Sequence, residues 1–151
     1  MTEVRFYDTI DDEKLKFAVI ISKKDGKWVF CKHRDRNTYE IPGGHREPGE
    51  NIIDTAKREL YEETGAVDFE IEPVCIYSVT GSDKEETFGM LYCADIAVLE
   101  NELHNEIEKI ILTETLPDEW TYPLIQPQLL AEAQKKEILL KTVSAHAALY
   151  Y

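Results

Sequence analysis

Between Gly43 and Gly65 the chain places residues capable of chemistry at close, regular intervals. Gly43-Gly44-His45-Arg46-Glu47-Pro48-Gly49-Glu50 runs into a stretch free of Gly and Pro that carries Arg58, Glu59, Glu62 and Glu63. On a helix, residues three and four apart share a face, so Glu59, Glu62 and Glu63 fall on one flank. Glu59 and Glu63, four apart, repel by a few tenths of a kcal/mol (order of magnitude) in an isolated helix, and partial burial raises that cost. A hard cation such as Mg²⁺ or Mn²⁺ reverses the local field and removes the penalty. Arg58 stands four before Glu62 and can pair with a carboxylate of the cluster. The Gly43-Gly44 pair lets backbone approach a ligand closely, and Pro48-Gly49 makes a tight turn. Together these features imply a bound divalent cation. Glu50, just before the helix, has two readings that spacing leaves open: a functional acid, or a helix-start acid favoured by the helix dipole.

The elements that must position these residues can be read from periodicity. The spacing predicts a helix from Asn51 to about Thr64, stopped by Gly65. Ile52, Ile53, Ala56 and Leu60 form its apolar arc, Glu63 lies on the edge of that arc, and Asp54, Lys57 and Tyr61 face solvent. Before it come a short edge strand at Val4–Tyr7 and a buried strand at Leu15–Ser22. A turn at Lys23-Lys24-Asp25-Gly26 leads to its hairpin partner at Trp28–His33. After the helix come Val67–Val79, where Pro73 suggests an edge or a bend, then Thr87–Leu99 and Ile107–Leu116. Glu100–Glu106 reads as an acidic surface loop. A second helix is expected over Pro123–Lys136, with Ile138–Leu140 as a continuation. Thr142–Tyr151 could extend that helix, pack against a partner chain, or fray.

Composition sets outer bounds. A chain of 151 residues suits one domain, and a hydrophobic content of 43% is that of a globular chain. Thirty acids against 17 bases give a net charge of −13, which argues against a long nucleic acid as the main partner but not against a nucleotide whose charge a metal neutralises. Cys31, Cys75 and Cys93 are widely spaced and suggest buried thiols rather than a disulfide framework or a CxxC metal site. His104 and His146 lack metal-ligand spacing. No apolar run approaches the roughly 18–20 residues of a membrane span, and the first residues lack a signal peptide's apolar core. A cytoplasmic location with no membrane partner is the expectation; oligomeric state is left open.

The order Gly44, five residues, Glu50, seven residues, Arg58-Glu59-Leu60, one residue, Glu62-Glu63, one residue, Gly65 and an aliphatic Ala66 resembles the Nudix box of the Nudix hydrolases. The preceding Glu40-Ile41-Pro42-Gly43 resembles the strand and turn that lead into that box; Ala66, where a larger aliphatic is usual, is a mild departure. The resemblance implies an α/β fold, an α/β/α sandwich around a mixed β-sheet, and a single domain over residues 1–151. It implies hydrolysis of a phosphoanhydride bond in a nucleotide derivative with Mg²⁺ or Mn²⁺ as cofactor. The ligands it implies are Glu59 and Glu63, with Glu62 assisting and the Gly43 carbonyl as backbone ligand. Arg58 would orient the carboxylates, and Glu50 or the downstream Glu106 would help deprotonate water, with Glu108 a second choice. Lys32, Arg34 or Arg36 would take substrate phosphate, and Tyr39 would stack on a base or pack in the core.

Among relatives, the chain looks most like the MutT-type nucleoside triphosphatases. Some of these prefer oxidised purine nucleotides such as 8-oxo-dGTP and release a monophosphate and pyrophosphate. Alternatives are an RNA 5′-triphosphate pyrophosphohydrolase, an ADP-ribose or other nucleoside diphosphate hydrolase, and an inactive nucleotide-sensing module. Presence of all three box glutamates weighs against the last.

Overall fold

The computed structural model describes residues 2–100 and 107–136. Its strands are β1 (Glu3–Tyr7), β2 (Leu15–Lys24), β3 (Lys27–His33), β4 (Gly43–His45), β5 (Ala66–Thr80), β6 (Glu86–Leu99) and β7 (Ile107–Thr113). Helix α1 is Ile52–Thr64, and a second helix, α2, occupies 126–136. The main path through the sheet is β1-β5-β6-β2-β3-β7, with β4 pairing β2. β2 and β6 run parallel while the other pairings are antiparallel, so the sheet is mixed.

Alternation along β2 builds both layers. Ala18 and Ile20 face α1 and join Val29, Ala56, Leu60, Tyr92 and Ile96. Val19 and Ile21 face the other way and join Phe30, Tyr77, Leu91, Leu129, Leu130 and Ala133 beneath α2. A period of two on a strand sends successive side chains to opposite faces, and both faces of β2 are apolar because each is covered by a helix. The expected α/β/α sandwich is therefore the observed one.

The elements match the sequence pattern with informative differences. Asp25 and Gly26 both adopt positive φ, at 52° and 77°, closing the β2–β3 hairpin. Pro73 lies on β5 beyond the stretch paired with β1 and next to a register shift at Pro73/Cys75, where no ladder donor is required of it. β7 stops at Thr113, three residues before the expected end. There the Thr113 hydroxyl accepts from the Thr115 amide at 3.1 Å and donates to the Thr115 carbonyl at 2.9 Å, turning the chain out of the ladder. α2 begins at 126, with Pro123–Ile125 forming a turn ahead of it. The expected continuation over Ile138–Leu140, the segment Thr142–Tyr151, His104 and His146 lie outside the described residues.

α1 ends as its composition predicts. Gly65 takes the left-handed conformation, φ 80° and ψ 15°, and its amide donates to the Tyr61 carbonyl. Gly65→Ala should cost about 1 kcal/mol, seen as a lower melting temperature with unchanged metal dependence.

The site depends on how the sheet opens. β3 pairs β2 only from Ser22↔Val29 outward, towards the hairpin turn. Further along, the two strands diverge and residues 40–45 fill the gap. Glu40 bridges Cys31 of β3, the Ile20 amide donates to the Pro42 carbonyl, and Gly43–His45 pairs with Val19–Phe17. Gln126 at the head of α2 fastens this insert. Its side-chain carbonyl accepts from the Ile41 amide at 2.8 Å, and its amide donates back to the Ile41 carbonyl at 3.4 Å. Among the described residues no helix is long and apolar enough to cross a membrane.

Candidate active site

Arg58 sits at the centre of the acidic flank of α1. Its Nε donates to Glu50 Oε2 at 2.7 Å and its Nη2 to Glu50 Oε1 at 3.0 Å. Nη1 donates to Glu59 at 2.8 Å and to Glu62 at 3.3 Å, and Nη2 also reaches the His45 carbonyl at 2.9 Å. One guanidinium thus spans three carboxylates and ties the helix to the glycine turn. These contacts, those to Glu50 foremost, raise the Arg58 pKa.

Glu50 is more than a helix-start acid. Besides the two Arg58 bonds, its Oε1 accepts from the Glu47 amide at 3.0 Å and the Thr55 hydroxyl at 2.7 Å. Arg58 and these donors lower its pKa to about 2, so it keeps its charge and binds a proton poorly. Arg46 braces the same loop, donating to the Glu50 carbonyl at 2.7 Å and to the Asp12 carboxylate at 2.8 Å.

Glu63 is different. It is 6% exposed, and the donor that holds it is the Gly43 amide, 2.7 Å from Oε1. Burial, followed by the negative charges of Glu59, Glu40 and Glu62, pushes its pKa up to about 8 despite the Gly43 bond. Its other oxygen lies 3.0 Å from His33 Nε2, which is 2.8 Å from Glu40 Oε1. Glu59 is also raised, by burial against the lowering effect of Arg58. The acid that most lacks compensation is thus Glu63, beyond the reach of Arg58.

The turn is shaped around these groups. A Cβ on Gly44 would lie 2.4 Å from the Glu59 carboxyl carbon, and one on Gly43 would lie 2.5 Å from the Ala18 carbonyl oxygen. Gly44→Ala should therefore displace the Glu59 carboxylate rather than the backbone. Turnover and divalent-ion affinity should fall about 10–100-fold with little change in melting temperature. Titrating activity with Mg²⁺ checks both.

A cavity of about 390 Å³ opens beside the turn. Its lining includes Glu63, Gly43 and Gly44 on one side and Arg36, Tyr77 and Tyr122 on another. It reaches from the α2 side of the sheet to a carboxylate of α1 because the sheet is split there. Arg36 donates to Glu40 at 3.0 Å and stands 5.8 Å from the Tyr122 ring centroid. Arg34 is exposed and outside this lining. Tyr39 packs against the α2-side core, 5.9 Å from Lys109 Nζ. Lys32 is paired with Glu108, and Glu106 lies outside the described residues. A larger groove, about 700 Å³ around Trp28, Pro73 and Lys136, contains none of the acidic helix residues.

Sequence reasoning did not single out His33, Glu40, Tyr122 or Gln126 as site residues. The signal for the first two was weak: Glu40 read as part of a strand-and-turn entry and His33 as the last residue of a hairpin strand. Only the Cys31↔Glu40 bridge brings them face to face with Glu63.

Oxygen donors gathered on a helix flank at the mouth of a nucleotide-sized cavity suit a hydrolase of phosphoanhydride bonds. The NUDIX domain family matches residues 12–135, and the chain belongs to that family of hydrolases. It is 34% identical over 117 residues to the putative 8-oxo-dGTP diphosphatase YtkD of Bacillus subtilis, covering 77% of this chain and 73% of that one. A structure of the Bacillus subtilis pyrophosphohydrolase BsRppH superposes with a TM-score of 0.73 at 28% identity, over 89% of this chain and 90% of that one. A NUDIX hydrolase from Nitrosomonas europaea, 22% identical, shares the fold with a TM-score of 0.65 over 80% and 89% of the two chains. The chain is accordingly a Nudix pyrophosphohydrolase of nucleotide derivatives.

Nudix hydrolases use divalent metal ions, and the residues present fit one. The strongest indication is Glu63, a buried carboxylate whose pKa stays raised to about 8 despite the Gly43 amide, so that a bound cation would favour its charged form. The close approach of Glu59 to Gly44 is a second.

Proposed function

We propose that this chain is a MutT-like nucleoside triphosphate pyrophosphohydrolase, acting on dGTP, 8-oxo-dGTP or a related NTP and releasing the nucleoside monophosphate and pyrophosphate. The observation that carries this reading is the cavity itself. Its 390 Å³ falls within the range of about 300–1,000 Å³ usual for small-molecule sites, and its walls join Glu63 and the glycine turn to Arg36 and two tyrosines. The likeness to a relative named for 8-oxo-dGTP supports it, as does the net charge of −13, which disfavours a long polyanion.

Glu59 and Glu63, with Glu62 assisting and the Gly43 carbonyl as backbone ligand, would hold Mg²⁺ or Mn²⁺, an all-oxygen set suited to a hard ion. When bound, that ion neutralises phosphate charge and makes water a better nucleophile. Arg58 keeps Glu59 and Glu62 aimed and, through Glu50, fixes the turn to the helix. Arg36 takes a phosphate oxygen by exchanging its Glu40 partner for the substrate, and exposed Arg34 is a further phosphate contact from the rim. Tyr122 and Tyr77 present aromatic surface to the base, and Tyr39 packs in the core beneath α2. Water adds to phosphorus, the anhydride P–O bond breaks, and pyrophosphate leaves. Glu50, whose donors lower its pKa to about 2, is a weak proton acceptor, and Glu106 is the other sequence-derived candidate for the base that takes the water's proton.

A second reading, removal of pyrophosphate from an RNA 5′ end, is favoured by the superposition with BsRppH. Incubation with Mg²⁺ and a panel of dGTP, 8-oxo-dGTP, ADP-ribose and 5′-triphosphorylated RNA, with products separated by chromatography, distinguishes them. Monophosphate and pyrophosphate from a free nucleotide are expected. Turnover confined to the RNA or to ADP-ribose would overturn the first reading.

A further inference from the structure

Behind the acidic flank of α1 lies a second constellation with different chemistry. Cys31 Sγ, His33 Nε2 and one oxygen each of Glu40 and Glu63 all lie within 4.8 Å of one another. Three come from β3 and the strand-like segment bridged to it, the fourth from α1. Cys31 is fully buried and both glutamates are 6% exposed.

The two carboxylates are arranged alike. Glu40 receives Arg36 Nη1 on Oε2 at 3.0 Å and turns Oε1 to His33 Nε2 at 2.8 Å. Glu63 receives the Gly43 amide on Oε1 at 2.7 Å and turns Oε2 to the same nitrogen at 3.0 Å. Each therefore has one oxygen anchored by a protein donor and one aimed at a common point, as outer donors orient metal ligands elsewhere. Cys31 Sγ, 3.5 Å from the Glu40 carbonyl, approaches that point from the core.

We propose that Cys31, His33, Glu40 and Glu63 form a binding site for a thiophilic divalent cation of the zinc type, separate from the hard-ion site but sharing Glu63 with it. A donor set of thiolate, imidazole and two carboxylates selects zinc-like ions, whereas Mg²⁺ prefers all-oxygen shells. Tetrahedral bonds of about 2.0–2.3 Å place ligands roughly 3.3–3.8 Å apart, so these four atoms need shifts of only about 1 Å to close on an ion. Binding displaces the Cys31 proton to solvent and draws Glu63 Oε2 away from the hard-ion site. The second site therefore antagonises the first. That antagonism rests on Glu63 serving the Mg²⁺-dependent reaction; binding itself does not.

Cobalt(II) titration of the metal-stripped full-length chain tests binding without reference to activity. One equivalent of Co²⁺ should produce a thiolate-to-cobalt charge-transfer absorption. Cys31→Ser should abolish it, while Cys75→Ser and Cys93→Ser keep it. His33→Gln, at a partly exposed position, should weaken Co²⁺ binding at least about tenfold, which serves should the buried serine variant fail to fold. Absence of the band, its survival in folded Cys31→Ser, or unchanged affinity in His33→Gln overturns the site. Zn²⁺ added to enzyme turning over a nucleotide in excess Mg²⁺ should then inhibit at one equivalent. A cobalt band without zinc inhibition overturns the sharing of Glu63, whereas a cobalt band in a chain that hydrolyses no nucleotide leaves the site standing and removes the functional reading above.

Discussion

Glu63→Gln is expected to lower Mg²⁺-dependent turnover by well over the roughly 10–100-fold that loss of an outer metal partner costs, with the fold intact. The amide is nearly isosteric and can still accept from the Gly43 amide, but it carries no charge for a cation to meet. The same substitution should change how stability depends on pH. The Glu63 pKa is raised from 4.5 to about 8 in the folded chain, first by burial. Below pH 4.5 both folded and unfolded chains hold the proton and the group contributes nothing. Between 4.5 and about 8 the folded chain binds the proton that the unfolded chain has lost, so stability falls as pH rises through this window. The accumulated loss, on the order of a few kcal/mol, stays constant above it. Thermal melts of the metal-free wild type should therefore decline from pH 5 to pH 8, and those of Glu63→Gln should decline less, by the share Glu63 contributes. Mg²⁺ should flatten the wild-type profile by favouring the ionised form. A Gln variant that turns over normally, or one whose melts track the wild type across that range, would remove Glu63 from the ligand set.

The reasons these groups were legible in the sequence differ from one to the next. Local periodicity identified α1 almost to the residue, because Ile52, Ala56 and Leu60 must share a face and Gly65 must cap it. The same periodicity put Glu59, Glu62 and Glu63 on one flank. It also set Glu63 apart at the edge of the apolar arc, but it did not show which carboxylates Arg58 reaches. Its fork spans Glu50, Glu59 and Glu62, so much of the expected repulsion is already compensated within the helix and loop. What remains for a cation is concentrated at Glu63. The pairing of Glu63 with His33 and Glu40 was invisible because it is non-local: it needs the sheet to split and residues 40–45 to fill the gap. Gln126 was missed for the same reason, being 85 residues from the Ile41 backbone it holds. Turn chemistry accounts for the shorter β7, since Thr113 and Thr115 satisfy each other where the apolar pattern alone would continue the strand.

Arg58 carries the other large effect, and a pair of substitutions separates its two contributions. Its side chain is 23% exposed, and those of Glu50 and Glu59 are 15% and 13% exposed, so removing it strands partly desolvated carboxylates. Arg58→Met keeps the stem's packing and loses every donor; it should cost about 2–4 kcal/mol, somewhat less than breaking a fully buried pair, read from denaturant melts in the absence of metal. Arg58→Lys restores the charge but not the geometry. One ammonium cannot bond Glu50 through two atoms while also reaching Glu59, Glu62 and the His45 carbonyl. Lysine should therefore recover much of the stability and little of the activity, with the defect appearing in kcat and in the Mg²⁺ requirement rather than in nucleotide KM. Divalent ions should stabilise Arg58→Met more than wild type, because they substitute for the missing positive charge. Full activity in Arg58→Lys would mean that charge alone, and not the forked arrangement of donors, keeps Glu59 and Glu62 in register with the glycine turn.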